Sequence, residues 1–132
     1  MKHPDNNEYA SYRLEKSRET IEAASLLIQS KIWNSAVNRL YYAAYYAVSA
    51  LLIKSGMNAK THAGLKTQFY QHFVKTGKIE IRLGKVYDEL FDFRQQGDYG
   101  DFFDLSEEDV LPLLKPVEEL IEAVNEEINK AP

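Results

Sequence analysis

One arginine, Arg94, sits where a helical pattern runs out into Gln95, Gln96, Gly97, Asp98, Tyr99, Gly100 and Asp101. The chemistry open to it is anion binding. A guanidinium is a planar fork of donors that grips phosphate or carboxylate oxygens in pairs. Arg94 follows Leu90 by four residues and Phe91 by three. It therefore continues an apolar helical stripe and is expected on the inward face. The competing structural role is an internal ion pair with Asp98 or Asp101, or a cation completing a helix C-terminus. Asp98 and Tyr99 have structural readings too, Asp98 as a turn cap and Tyr99 as a ring packed on the end of a bundle.

His62, in the stretch KTHAGL, is the second candidate. It either packs a helix start against the preceding loop or gives a polar contact to a cleft with Arg94, and the sequence leaves both open. His72 reads as a helix-surface residue and His3 as part of a polar N-terminus. His62 and His72 lie ten residues apart, not at the four-residue spacing of a helical metal pair. There is no phosphate loop, zinc-spaced cluster or serine elbow. The chain contains no cysteine, which removes disulfides, cysteine metal sites and thiol catalysis. No metal and no cofactor is expected. Glu118, Glu119, Glu122, Glu126 and Glu127 read as a solvated face.

These residues need a scaffold. The chain has 132 residues, 45% of them hydrophobic, enough for one domain with a real core. Its formal net charge of −4 excludes a bulk basic field but not a local basic patch. The longest weakly polar run, residues 40–53, is shorter than the roughly 20 residues of a membrane span and rich in tyrosine. With no apolar signal region at the N-terminus, a cytoplasmic protein without membrane contact is expected.

Periodicity predicts five helices and no strand. The first covers about 8–29, with Leu14, Ile21, Ala24, Leu27 and Ile28 on its apolar side. The second covers about 33–54 and is apolar nearly all round, as the centre of a bundle or an oligomer interface would be. Its alanines allow close helix approach. Tyr41 and Tyr45, and Tyr42 and Tyr46, form i,i+4 pairs with polar tips; core, interface and modification target all stay open for them. A third helix runs from a Thr61 N-cap to Lys75, stopped by Gly77. The fourth runs from about Ile79 to Gln96, with Gly97 as its stop. The fifth starts near Ser106, whose hydroxyl and the acids at 107–109 suit a helix N-terminus. Pro112 and Pro116 imply either a kink there or a turn before a later start.

Four pieces in order carry a resemblance: NRLYYAAYYAVSALL, then G-x-x-x-K-T-H-A-G-L, then FVKTG, then R-x-x-x-D-Y. Together they resemble the HEPN superfamily, and more narrowly its small stand-alone prokaryotic members, from about Tyr9 to Ile128. The resemblance implies an all-α antiparallel up-and-down bundle of four to five helices that forms a homodimer. It implies a minimal nucleotidyltransferase as partner, in a toxin–antitoxin pair. Many such domains are metal-independent endoribonucleases. In those, an arginine is followed four to six residues on by a histidine, two copies meet at the dimer interface, and the RNA 2′-hydroxyl attacks. Here Arg94 matches the arginine, but no histidine follows it anywhere in the chain. Tyrosine titrates near pH 10 and aspartate near pH 4, so neither Tyr99 nor Asp98 replaces it at pH 7 without a large shift. The leading expectation is a dimeric, non-catalytic module that presents Arg94, Asp98, Tyr99 and His62 to a nucleotide or to the nucleotidyltransferase partner, with RNA as a further candidate ligand. An endoribonuclease with a variant site, its catalytic candidates drawn from the same four residues, comes next, and a purely structural interaction protein third. His62 can stand in for the missing histidine only if the fold brings it to Arg94.

Overall fold

A computed structural model describes residues 5–99 and 104–130, without the side chains of residues 97–99. All of its regular structure is helical: α1 (Asn6–Gln29), α2 (Trp33–Lys54), α3 (His62–Phe69), α4 (Ile81–Tyr99), α5 (Glu107–Val110) and α6 (Leu114–Lys130). A π turn, Tyr70–Val74, continues α3, and a 3-10 turn, Leu111–Leu113, joins α5 to α6. The expected antiparallel up-and-down bundle is what forms, with no strand among the described residues.

Helix α2 is the axis, packed by α1, α6, α4 and α3. Its Ala36, Leu40, Ala43, Ala44, Ala47, Val48, Leu51 and Leu52 are buried. Small residues set how close α1 comes. The buried Ser17 hydroxyl donates to the Ala43 carbonyl at 2.7 Å, a bond that only intimate helix contact permits. Helix α1 starts on Asp5, whose carboxylate accepts from the Glu8 amide. It ends in a turn where Lys31 takes a positive φ of 58°.

Thr61 caps α3 by accepting from the Gly64 amide at 2.9 Å, so His62 is the first residue of that helix. The π turn inserts one extra residue per turn and still buries Phe73 and Val74. Gly84 of α4 faces Val74 so closely that a Cβ there would come within 2.9 Å of a Val74 methyl. Gly77, with φ 84°, makes the turn between them.

One helix end differs from expectation, and one alternative left open in the sequence is decided. Helix α4 does not stop at Gly97 but runs on through Tyr99. A single glycine costs a helix only about 1 kcal/mol relative to alanine, and the buried stripe of Leu83, Tyr87, Leu90 and Phe91 outweighs it. A short helix and a 3-10 turn precede the main last helix, which starts at Leu114. Ser106 caps α5, its amide donating to the Asp109 carboxylate at 2.9 Å. Pro112 then sits in the 3-10 turn, and Pro116 falls in the first turn of α6, where an amide lacks an intrahelical partner anyway. Beyond Pro116, Val117, Leu120, Val124 and Ile128 enter the core.

Candidate functional site

The site grows out of the outer ridge of α2. The four-residue spacing that lines up Tyr41 with Tyr45 and Tyr42 with Tyr46 builds a continuous aromatic surface, with neighbouring ring centroids 5.2–6.1 Å apart. Tyr41 is fully buried and the other three are half-buried. Tyr41 is wedged in place by Tyr87 and Phe91 of α4, at 5.9 and 6.3 Å.

His62 enters from α3. Its Nδ1 lies 2.6 Å from the Tyr41 hydroxyl. Its ring stacks on Tyr45 at 4.6 Å and 22° and stands edge-on to Tyr42 at 5.9 Å. A phenol can donate to a neutral imidazole or accept from an imidazolium, so the 2.6 Å contact suits either charge state of the histidine. Arg94 enters from α4, one turn after Leu90 and Phe91, on the inward face that its spacing predicts. Its guanidinium carbon sits 5.2 Å from the Tyr41 ring centre and 5.6 Å from that of Tyr42. Both distances are within cation–π range. Arg39 contacts Tyr42 as well, at 5.1 Å. Its fork is held by the neighbouring Asn38 side chain, through Nε at 3.2 Å and Nη2 at 2.7 Å.

Arg94 and His62 are thus brought onto the same two rings, from helices far apart in sequence. The arrangement sets two cations and a titratable imidazole over an aromatic floor, half open to solvent. Guanidiniums so placed grip phosphate oxygens, and exposed ring faces stack on bases. Burial pushes the Tyr41 phenol up to about 12, partly offset by Tyr87 and by the Arg94 charge. Burial also raises the Tyr87 phenol well above its ordinary value. The Tyr87 hydroxyl is buried close to that of Tyr41 but makes no hydrogen bond of good geometry. At neutral pH both phenols are therefore protonated. Tyr41 acts as an orienting group for His62, not as a base.

Of the four residues singled out from the sequence, Arg94 and His62 converge. The backbones of Asp98 and Tyr99 lie in the last turn of α4; their side chains, and Gly100, Asp101 and His3 altogether, lie outside the described residues. Sequence reasoning missed Arg39 and left Tyr41 and Tyr42 unassigned. The signal was the arginine three residues before the Tyr42–Tyr46 ridge, which puts a cation on the same helical face. His72 is exposed in the π turn. Among the described residues, no three histidines or carboxylates gather as metal ligands would. No helix there is long and apolar enough to cross a membrane.

A Thermotoga maritima protein named UPF0332 protein is 40% identical over 113 residues, 86% of each chain. A Methanocaldococcus jannaschii protein bearing the name "Putative toxin" is 33% identical over 101 residues, 76% of this chain and 69% of that one. The crystal structure of TT1696 from Thermus thermophilus superposes with a TM-score of 0.75 at 16% identity, covering 89% of this chain and 97% of that one, a likeness of fold. Residues 10–128, which hold both the tyrosine ridge and the Arg94–His62 pair, match the HEPN domain, and the chain belongs to that family.

Proposed function

We propose that this HEPN protein is a nucleotide- or RNA-binding module of a toxin–antitoxin pair, with Arg94 as the phosphate contact and His62 beside it. The observation that carries this reading is the convergence of Arg94 and His62 on Tyr41 and Tyr42. A guanidinium and an imidazole side by side on ring faces suit a phosphate attached to a base. The toxin names of two Methanocaldococcus jannaschii relatives support the biological setting. A homodimer and a minimal nucleotidyltransferase partner complete the reading, as the family resemblance implies.

The same convergence favours a second reading, a metal-independent endoribonuclease. His62 reaches the neighbourhood of Arg94 through space, where no histidine follows in sequence. In that reaction the RNA 2′-oxygen attacks the adjacent phosphorus and gives up its proton to His62. The bond from phosphorus to the 5′-oxygen breaks to leave a 2′,3′-cyclic phosphate, the 5′-oxygen takes its proton from solvent water, and Arg94 steadies the charge on the phosphoryl oxygens.

One experiment tests both. RNA and AMP binding, and RNA cleavage without metal, are measured on the purified protein beside Arg94→Ala and His62→Ala. Arg94→Ala is expected to weaken binding by about 10- to 100-fold, the worth of one charge-assisted contact. A wild-type protein that binds neither ligand overturns the binding reading. Cleavage that vanishes in both variants establishes the ribonuclease. Binding without cleavage leaves the module.

A further inference from the structure

The ridge of α2 does not end at the Arg94 pocket. Tyr42, which Arg94 and Arg39 both contact, lies 6.1 Å from Tyr46. The Tyr46 ring lies 5.5 Å from the guanidinium carbon of Arg13 in α1, which is 5.3 Å from the Tyr9 ring. Arg13 also donates from Nη2 to the Tyr9 hydroxyl at 2.9 Å. One helical turn away, Lys16 stands 5.8 Å from the Tyr12 ring. Rings and cations therefore lie in unbroken contact from Arg94 through Tyr42 and Tyr46 to Arg13 and Tyr9 of α1. The far end is the more open one, with Tyr9 38% and Tyr12 58% exposed.

Charge adds to the pattern. Arg18, Arg82 and Lys130 each meet a carboxylate within 3.2 Å. Among the described residues, Arg13 and Arg39 instead have only neutral hydrogen-bond partners, a phenol and an amide. In a chain of net charge −4, cations spared from acids and interleaved with open rings fit a strand that offers phosphates and unstacked bases in alternation. A duplex offers the phosphates but keeps its base faces stacked.

We infer that Arg13, held against Tyr9 and Tyr46, is a second anchoring site for the strand bound at Arg94, engaging a nucleotide further along it. The inference rests on the nucleotide-binding reading above. It makes the protein sensitive to ligand length: a mononucleotide fills the Arg94 pocket, and only an oligonucleotide reaches Arg13.

The test measures anisotropy of a labelled, single-stranded 2′-O-methyl oligoribonucleotide of about ten residues, within the footprint range of single-strand binders. That strand lacks the attacking hydroxyl, so cleavage does not confuse the readout. AMP binding is measured in parallel. Arg13→Gln is expected to weaken oligonucleotide binding by about tenfold at low salt and to lower the salt slope by about 0.7, the share of one single-strand phosphate. AMP binding stays unchanged, and Arg13→Lys, which keeps the charge, recovers part of the loss. An oligonucleotide bound no more tightly than AMP by the wild type overturns the second site and leaves the pocket standing. Equal losses for both ligands in Arg13→Gln, or no loss for either, overturn it too. If Arg13→Gln alters self-association in size-exclusion chromatography and spares RNA binding, the face belongs to a second copy of the chain. A wild type that binds neither ligand removes the nucleotide-binding reading and this inference together.

Discussion

The two faces of α2 make a controlled comparison within one helix. One face is alanine, valine and leucine, buried in the bundle core. The other is tyrosine, set against a histidine from α3 and an arginine from α4. The first is held by volume and the exclusion of water, which are non-directional. The second is held by particular partners at particular distances. A volume-conserving change should be tolerated by the first and felt by the second, whereas a large-to-small change should reverse that order. Tyr41 belongs to both: it is fully buried, yet its hydroxyl faces His62.

The comparison can be broken most forcefully on the apolar side. Leu40→Ala removes a fully buried side chain and is expected to cost about 3 kcal/mol by urea denaturation. At temperatures where that variant stays folded, nucleotide affinity should match the wild type. A selective loss of affinity would mean that the two faces are not separable. The middle case is Tyr41→Phe, which keeps the ring and removes the hydroxyl. Stability should fall by about 1 kcal/mol, the usual net worth of a hydrogen bond, while binding falls further because His62 loses its orienting partner.

Tyr41 also sharpens the comparison through pH. The folded phenol titrates at about 12 against an ordinary value of 10.0, because burial disfavours the phenolate. The folded state thus holds this proton more tightly than the unfolded chain does. That contribution is fully present below about pH 10 and is lost as pH climbs towards about 12. Urea midpoints measured across this window should fall for the wild type and flatten in Tyr41→Phe, with Tyr87 supplying what slope remains. The smallest effect is expected at Thr61. Thr61→Ala removes the cap of α3 and should cost about 1 kcal/mol or less, with a modest drop in affinity as His62 frays from Tyr41.

The apolar face was the legible one. Its periodicity places α2 at 33–54 in sequence and in structure alike, and Thr61 and Gly77 announce the limits of the third helical segment. Local signals suffice where local chemistry decides. They misled at Gly97, where packing of the Leu90 and Phe91 side chains overrode a weak propensity, and they left the choice at Pro112 and Pro116 undecided. The inward turn of Arg94 was readable from its spacing after Leu90 and Phe91. Its meeting with His62 was not, because that depends on where α3 and α4 cross α2, a tertiary fact with no local signature. The tyrosine pairs were visible, but a tyrosine ridge at helical spacing looks the same in sequence whether it packs a core or floors a site.

The π turn at Tyr70–Val74 has a consequence for how this domain can change. A π turn is a helix carrying one residue too many, and a shift of one residue rotates a helix by about 100°. Upstream of it His62 is in register with Tyr41; at its own far end, Val74 is in register with Gly84. Deleting a single residue from the turn would restore regular geometry and yet force a choice, because one straight helix could mesh with only one of those two contacts. The irregularity thus works like a vernier between two gears, and lineages that lose it should have to rebuild either the histidine end or the glycine end of the bundle.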